Sequence, residues 1–132
     1  MATWDDVRRL ALALPETEET TRWRTPCWDV AGNRGFVWDR PLSKKDLKDM
    51  GDAAPDGPIL GVGVEHEGAK RALLQSDPAV FFTIPHFDGY PAVLVRLDEI
   101  RLDDLEEVIV EAWLCHAPER LAKAYIAEHG GE

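Results

Sequence analysis

The stretch "FFTIPHFDGYPAVLVRL", Phe81 to Leu97, sets two β-rich runs on either side of a polar, turn-forming centre. "VFFTI" and "AVLVRL" have strand composition, and seven residues, Pro85 to Pro91, connect them. Each proline drives the residue before it into extended geometry, and Asp88-Gly89 tolerates the positive φ of a turn. The reading is a hairpin, with Val93, Val95 and Leu97 toward a core and Leu94 and Arg96 on the other face. His86 is the one residue in the connection that turn geometry does not require. It is either a base, metal ligand or phosphate contact at an exposed tip, or a ring that donates to a loop carbonyl and holds the turn. Tyr90 and Phe87 are expected to cover one end of the core.

Working outward, "ILGVGV" before this hairpin reads as a buried strand with Leu60, Val62 and Val64 on one face. Gly61 and Gly63 leave the opposite face bare, so something should pack closely on the backbone there. "EGAKRALLQS" is a short helix stopped at Asp77-Pro78. Upstream, "EETTRW", "PCWDV" and "RGFVWD" are extended segments, the last two joined by the tight-turn tripeptide "AGN". Trp28, Val30, Phe36 and Trp38 fall at even positions and are expected to share one face. At the N-terminus, Thr3 caps a helix with Asp6 three residues on, and Trp4, Val7, Leu10, Ala11 and Leu14 form its apolar stripe up to Pro15. The polar segment Pro41–Pro58 holds one short helix capped by Ser43. After the hairpin, Asp103 is expected to cap a helix burying Leu105, Val108, Ile109, Ala112 and Trp113. Pro118 opens a last one with Leu121, Ala124 and Tyr125 inward. The order predicts one α+β domain over residues 1–132, a two-layer arrangement of helices on a mainly antiparallel sheet.

The bulk numbers narrow the function. With 132 residues and 45% apolar content, the chain can bury a core without staples. No apolar run reaches the ~20 residues of a bilayer span, and "MATWDDVRRLALAL" lacks the basic start of a signal peptide, so no membrane partner and a cytoplasmic setting are expected. Cys27 and Cys115 read as two reduced, buried thiols. The net charge of −10 is unevenly spread: residues 1–50 carry nine basic and nine acidic side chains, residues 51–132 six and sixteen. Screening over ~8 Å allows a basic patch in the first half to act despite the acidic remainder.

Together these segments resemble the MmcQ/YjbR family. "LPETEET" (Leu14–Thr20) followed by Trp23, then the strand Pro26, Trp28, Val30 and the turn residue Gly32, carries the first half of the resemblance. "VFFTIPHFDGYPAVLVRLDEI" and "EAWLCHAPERLA" carry the second, the Pro85-His86 loop being the most specific piece. The resemblance implies an α-β(3)-α-β(2)-α order in a secretion-chaperone-like or YjbR-like topology. It also implies a small binding protein, with contact to DNA through paired hairpins as the suggested role. Two departures stand out: the strong acidity, and the length of Pro41–Pro58.

Residue chemistry ranks the functions. Cations interleaved with planar side chains suit nucleic acid, and Arg22, Arg24, Trp28, Arg34, Trp38 with His86 and Tyr90 are the best such set. Four phosphate contacts would give a log K against log salt slope of about −3.6. The alternative is a protein or small-ligand binding module whose groove is lined by the same aromatic and Arg residues. An enzyme ranks last: no G-x-S-x-G is present, "GVG" lies within a strand rather than before a helix, and the acidic pairs fit caps and solvated faces. No cofactor is expected. Cys27, His86, Cys115 and His116 show no metal-ligand spacing, and the adjacent Cys115 and His116 are expected on different helix faces.

Overall fold

A computed structural model describes residues 2–22, 24–32, 34–55 and 57–129, without the side chains of Arg34, Ala53 and His129. Trp23 and the turn residue Asn33 therefore lie outside the described residues, as does the Arg34 side chain. Helix α1 (Trp4–Leu12) is followed by strands β1 (Thr17–Arg22), β2 (Thr25–Val30) and β3 (Arg34–Asp39). Next come α2 (Lys44–Met50), β4 (Ile59–Gly63) and α3 (Glu67–Ser76). The chain ends with β5 (Phe81–Phe82), β6 (Ala92–Arg96), α4 (Leu102–His116) and α5 (Glu119–His129). Among the described residues six strands form one antiparallel sheet in the order β1-β2-β3-β4-β6-β5, and the domain is α+β.

Local chemistry sets the helix starts. Thr3 and Asp6 form a reciprocal capping box on α1, and Ser43 and Asp46 form another on α2. Helix α4 begins one residue before the Asp103 expected as its cap; Arg101 is the N-cap and makes no side-chain capping bond, while Asp103 and Asp104 lie in the first turn beside the positive dipole end. On α5 Leu121 is buried, but Ala124 is exposed and Ala122 packs inward instead.

The main core lies between one sheet face and α1, α4 and α5. Trp28 and Trp113 are fully buried in it. Trp4 stacks on Trp28 at 6.3 Å, Tyr125 tilts onto Trp113 at 5.2 Å, and the Trp113 indole donates to the Pro15 carbonyl at 3.1 Å. Each buried indole contributes on the order of 3 kcal/mol by area alone.

One expectation fails in a way that shapes the site. The β2–β3 register shifts after Trp28: Trp28 faces Val37, Asp29 faces Gly35, and Phe36 is the extra residue. This β-bulge lets Phe36 and Val37 both join the main core, and it reverses the alternation beyond them. Trp38 therefore faces Cys27, on the sheet face opposite Trp28, Val30 and Phe36. A second, smaller core gathers on that face from Ile59, Phe82, Ile84, Phe87, Ala92 and Leu94, with Trp38, Leu42 and Met50 packed against it.

The bare glycine face is filled as expected. A Cβ on Gly61 would stand 2.3 Å from Trp38 Cε2, and one on Gly63 would stand 2.5 Å from His116 Cε1. Among the described residues no helix is long and apolar enough to cross a membrane.

Candidate functional site

On the second sheet face a cavity of about 630 Å³ is bounded by the end of β1, by β2 and β3, and by the loop between β5 and β6. Arg22, Trp38, His86 and Tyr90 line it together, although they come from three separate parts of the chain. Trp38 reaches this cup because of the bulge, and Gly61 gives its ring room. The loop contributes a single 3-10 turn, Pro85–Phe87.

Two other expected residues, Trp28 and Arg24, sit elsewhere, and the Arg34 side chain lies outside the described residues. Trp28 is sealed in the main core, its Nε1 donating to Glu19 Oε1 at 3.1 Å, so it offers no surface to a ligand. Arg24 is exposed with φ +69° between β1 and β2 and does not line the cup. Arg34 opens β3 opposite Val30.

The turn is held by a residue that its own sequence neighbourhood does not single out. Lys70, on α3, is 3% exposed, and its ammonium donates to the carbonyls of Phe87 at 2.6 Å and Tyr90 at 2.9 Å. His86 is exposed, and its ring meets Phe87 edge-on at 5.1 Å. Tyr90 is 53% exposed at the rim, and Phe87 is buried beneath it.

A polar network crosses the cup floor. Arg22 Nη2 donates to Asp29 Oδ2 at 2.6 Å, and the Cys27 thiol donates to Asp29 Oδ1 at 3.4 Å. Gly35 makes room, since a Cβ there would lie 2.9 Å from Cys27 Sγ and 3.2 Å from Arg22 Nη1. The Arg22 side chain stays 43% exposed, with Nη1 and Nε free of hydrogen bonds to described residues. On the far wall Arg40 pairs with Asp46 at 3.2 Å and lies 5.5 Å from the Phe87 ring centre. Burial opposes ionisation of Asp46, but the Ser43 amide and hydroxyl and then Arg40 outweigh it and hold the carboxyl below its ordinary value. Burial raises Asp39, which also lines the cup.

The cup has no activated thiol. Burial, then the Asp29 hydrogen bond and charge, push the Cys27 thiol up to about 12, so it stays protonated and is a poor nucleophile. A folded value above the unfolded 9.0 means that its contribution to stability is intact below pH 9 and is lost as pH rises through about 12. Ultraviolet titration of a Cys115→Ser protein should therefore show a native thiolate midpoint near 12 and a urea-denatured midpoint near 9. A native midpoint below 10 would contradict this environment.

Cys115 is exposed rather than buried, and its Sγ approaches His116 Nδ1 at 3.2 Å, so these neighbours meet at the last turn of α4 instead of diverging. Among the described residues no three of His, Cys, Asp and Glu converge as metal ligands would.

Comparison with known proteins places this geometry. A family model described as YjbR matches residues 12–115. Uncharacterized protein Rv2570 of Mycobacterium tuberculosis and uncharacterized protein Mb2600 of Mycobacterium bovis are each 50% identical over 135 residues, covering 98% of this chain and all of theirs. Among solved structures, Deinococcus radiodurans protein DR2400, a DUF419 domain, is similar with a TM-score of 0.67 at 24% identity, covering 98% of this chain and 89% of that one. That likeness carries the fold: the same α+β sheet with helices against it. Matched by the family model over most of its length, this chain belongs to the YjbR family.

Proposed function

We propose that the protein is a non-catalytic binding module whose cup takes a small planar ligand bearing an anionic group. The observation that carries this reading is the convergence of Arg22, Trp38, His86 and Tyr90 on one cavity. Its volume of about 630 Å³ lies within the ~300–1,000 Å³ typical of small-ligand sites. Trp38 and Tyr90 offer planar surface, and the half-exposed Arg22 guanidinium keeps N–H donors free for charge-assisted bonds to an anionic group. The protonated Cys27 thiol supports binding over covalent chemistry.

Nucleic-acid contact is the second reading, favoured by the exposed Arg24 beside the cup. It needs several free cations on one surface, whereas Arg40 already faces Asp46 and Arg22 divides its guanidinium between Asp29 and the cup.

Naphthoate and its neutral analogue naphthamide form the test pair, titrated by calorimetry. Naphthoate should bind at least tenfold more tightly, and Arg22→Gln should remove most of that difference, as loss of a charge-assisted hydrogen bond worth ~1.5–3 kcal/mol requires. Random DNA duplex at about 50 mM salt, where phosphate contacts are strong, should leave the naphthoate isotherm unchanged. Equal binding of the two probes sinks the ligand reading, and displacement by duplex turns the assignment to nucleic acid.

A further inference from the structure

On the opposite sheet face a groove of about 750 Å³ runs between α3 and α4. Two helical stripes face each other across it. Helix α3 contributes Ala69, Ala72, Leu73 and Ser76, and α4 contributes Asp104, Glu107, Val108, Glu111, Ala112 and Cys115. Both follow the three- and four-residue spacing of a single helix face. The alanines leave open the space that larger side chains would fill. Val62, Val80 and Phe81 supply apolar surface from the sheet and its connection.

The rim has one sign of charge. Glu65, Asp77, Asp104, Glu107 and Glu111 line the groove, all are exposed, and none has an ion-pair partner among the described residues. Among the described residues no Lys or Arg lines it. Asp29, Asp46, Glu19 and Glu16 pair with arginines, and none of these four lines the groove. Desolvation, with the Glu65 and Glu111 charges adding to it, pushes the Cys115 thiol up to about 11, so the field reaches the groove wall. Like charges over a low-dielectric floor repel one another, and a cation between them relieves that repulsion.

We infer that this groove binds a small amphiphilic organic cation, an apolar body carrying amine charges, independently of the cup. The apolar floor takes the body by hydrophobic burial, and the carboxylate rim takes the ammonium groups. The volume suits a small molecule: a pocket of ~300–1,000 Å³ encloses most of a drug-sized ligand.

The probes are diaminooctane, octanediol and octanedioate, equal in chain length and differing in end charge. Calorimetry on the full chain should show binding of the diamine alone, weakening severalfold as salt rises from about 50 to about 300 mM, as screening of exposed charges demands. Glu107→Gln with Glu111→Gln should weaken the diamine about tenfold, since it removes two rim carboxylates that face the ammonium groups. Its denaturation midpoint should hold or rise, which separates loss of binding from loss of fold. Asp103→Asn with Glu106→Gln removes the same charge beside the groove and should leave binding unchanged. Diol binding equal to the diamine, no binding of the diamine, or equal weakening by both double variants would overturn the inference.

Discussion

Replacing Lys70 with methionine should lower stability by about 2 kcal/mol and abolish most naphthoate binding, although Lys70 does not line the cup. Methionine keeps the unbranched apolar stem, so the change isolates the ammonium. That group is almost wholly buried and gives two charge-assisted bonds, to the carbonyls of Phe87 and Tyr90. Such bonds are worth ~1.5–3 kcal/mol each. Two effects reduce the net loss. Removing a buried charge recovers its desolvation cost, and each carbonyl keeps a backbone partner, Tyr90 N on Phe87 O and Ala92 N on Tyr90 O. Glu67, 3.9 Å away and half exposed, adds little. Urea denaturation gives the stability term, and naphthoate calorimetry gives the site term. Unchanged values for both would show that the loop carries itself.

Gly61→Val should cost about 2–3 kcal/mol and close the cup. Its Cβ would fall 2.3 Å from Trp38 Cε2 and 2.4 Å from Nε1, inside any tolerable contact, so the indole must leave its seat. The open side is the cavity itself, which the displaced ring would occupy. Valine is otherwise a better strand residue than glycine, so the sign of the effect isolates the clash from propensity. A second change, Trp38→Ala in the Gly61→Val background, should restore much of the lost stability but not naphthoate binding. Simple additivity of the two changes would show that the contact carries no strain.

Local features were legible in the sequence. The Thr3 and Ser43 caps, the β2–β3 hairpin, strand β6 and the glycine-faced strand need only neighbours a few residues apart, whereas the strand expected over "VFFTI" shrinks to Phe81–Phe82. The phase of Trp38 was not legible, because a bulge inserts one residue without a compositional mark. Period-two reading through Phe36 and Val37 therefore placed it with Trp28. Lys70 was invisible for a different reason: its acceptors lie 17 and 20 residues away. A lysine on a short polar helix looks like solvated surface until the loop folds over it. Four of the seven expected site residues converge, yet their meeting depends on the bulge and on where the loop docks. Cys27 was read apart from its neighbours, and the Asp29 carboxylate that its thiol bonds is also held by Arg22 only across paired strands.

The strand order also governs how copies of this molecule meet. An open sheet has two margins with unsatisfied backbone groups, each a template on which another chain could polymerise. Here one margin, β5, is only two residues long, and the other, β1, carries Glu18, Glu19 and Arg22 among threonines. Neither offers the long, uncharged apolar ribbon that seeds amyloid-like stacking. With a net charge of −10 adding repulsion between molecules, the fold resists edge-to-edge aggregation without closing its sheet into a barrel.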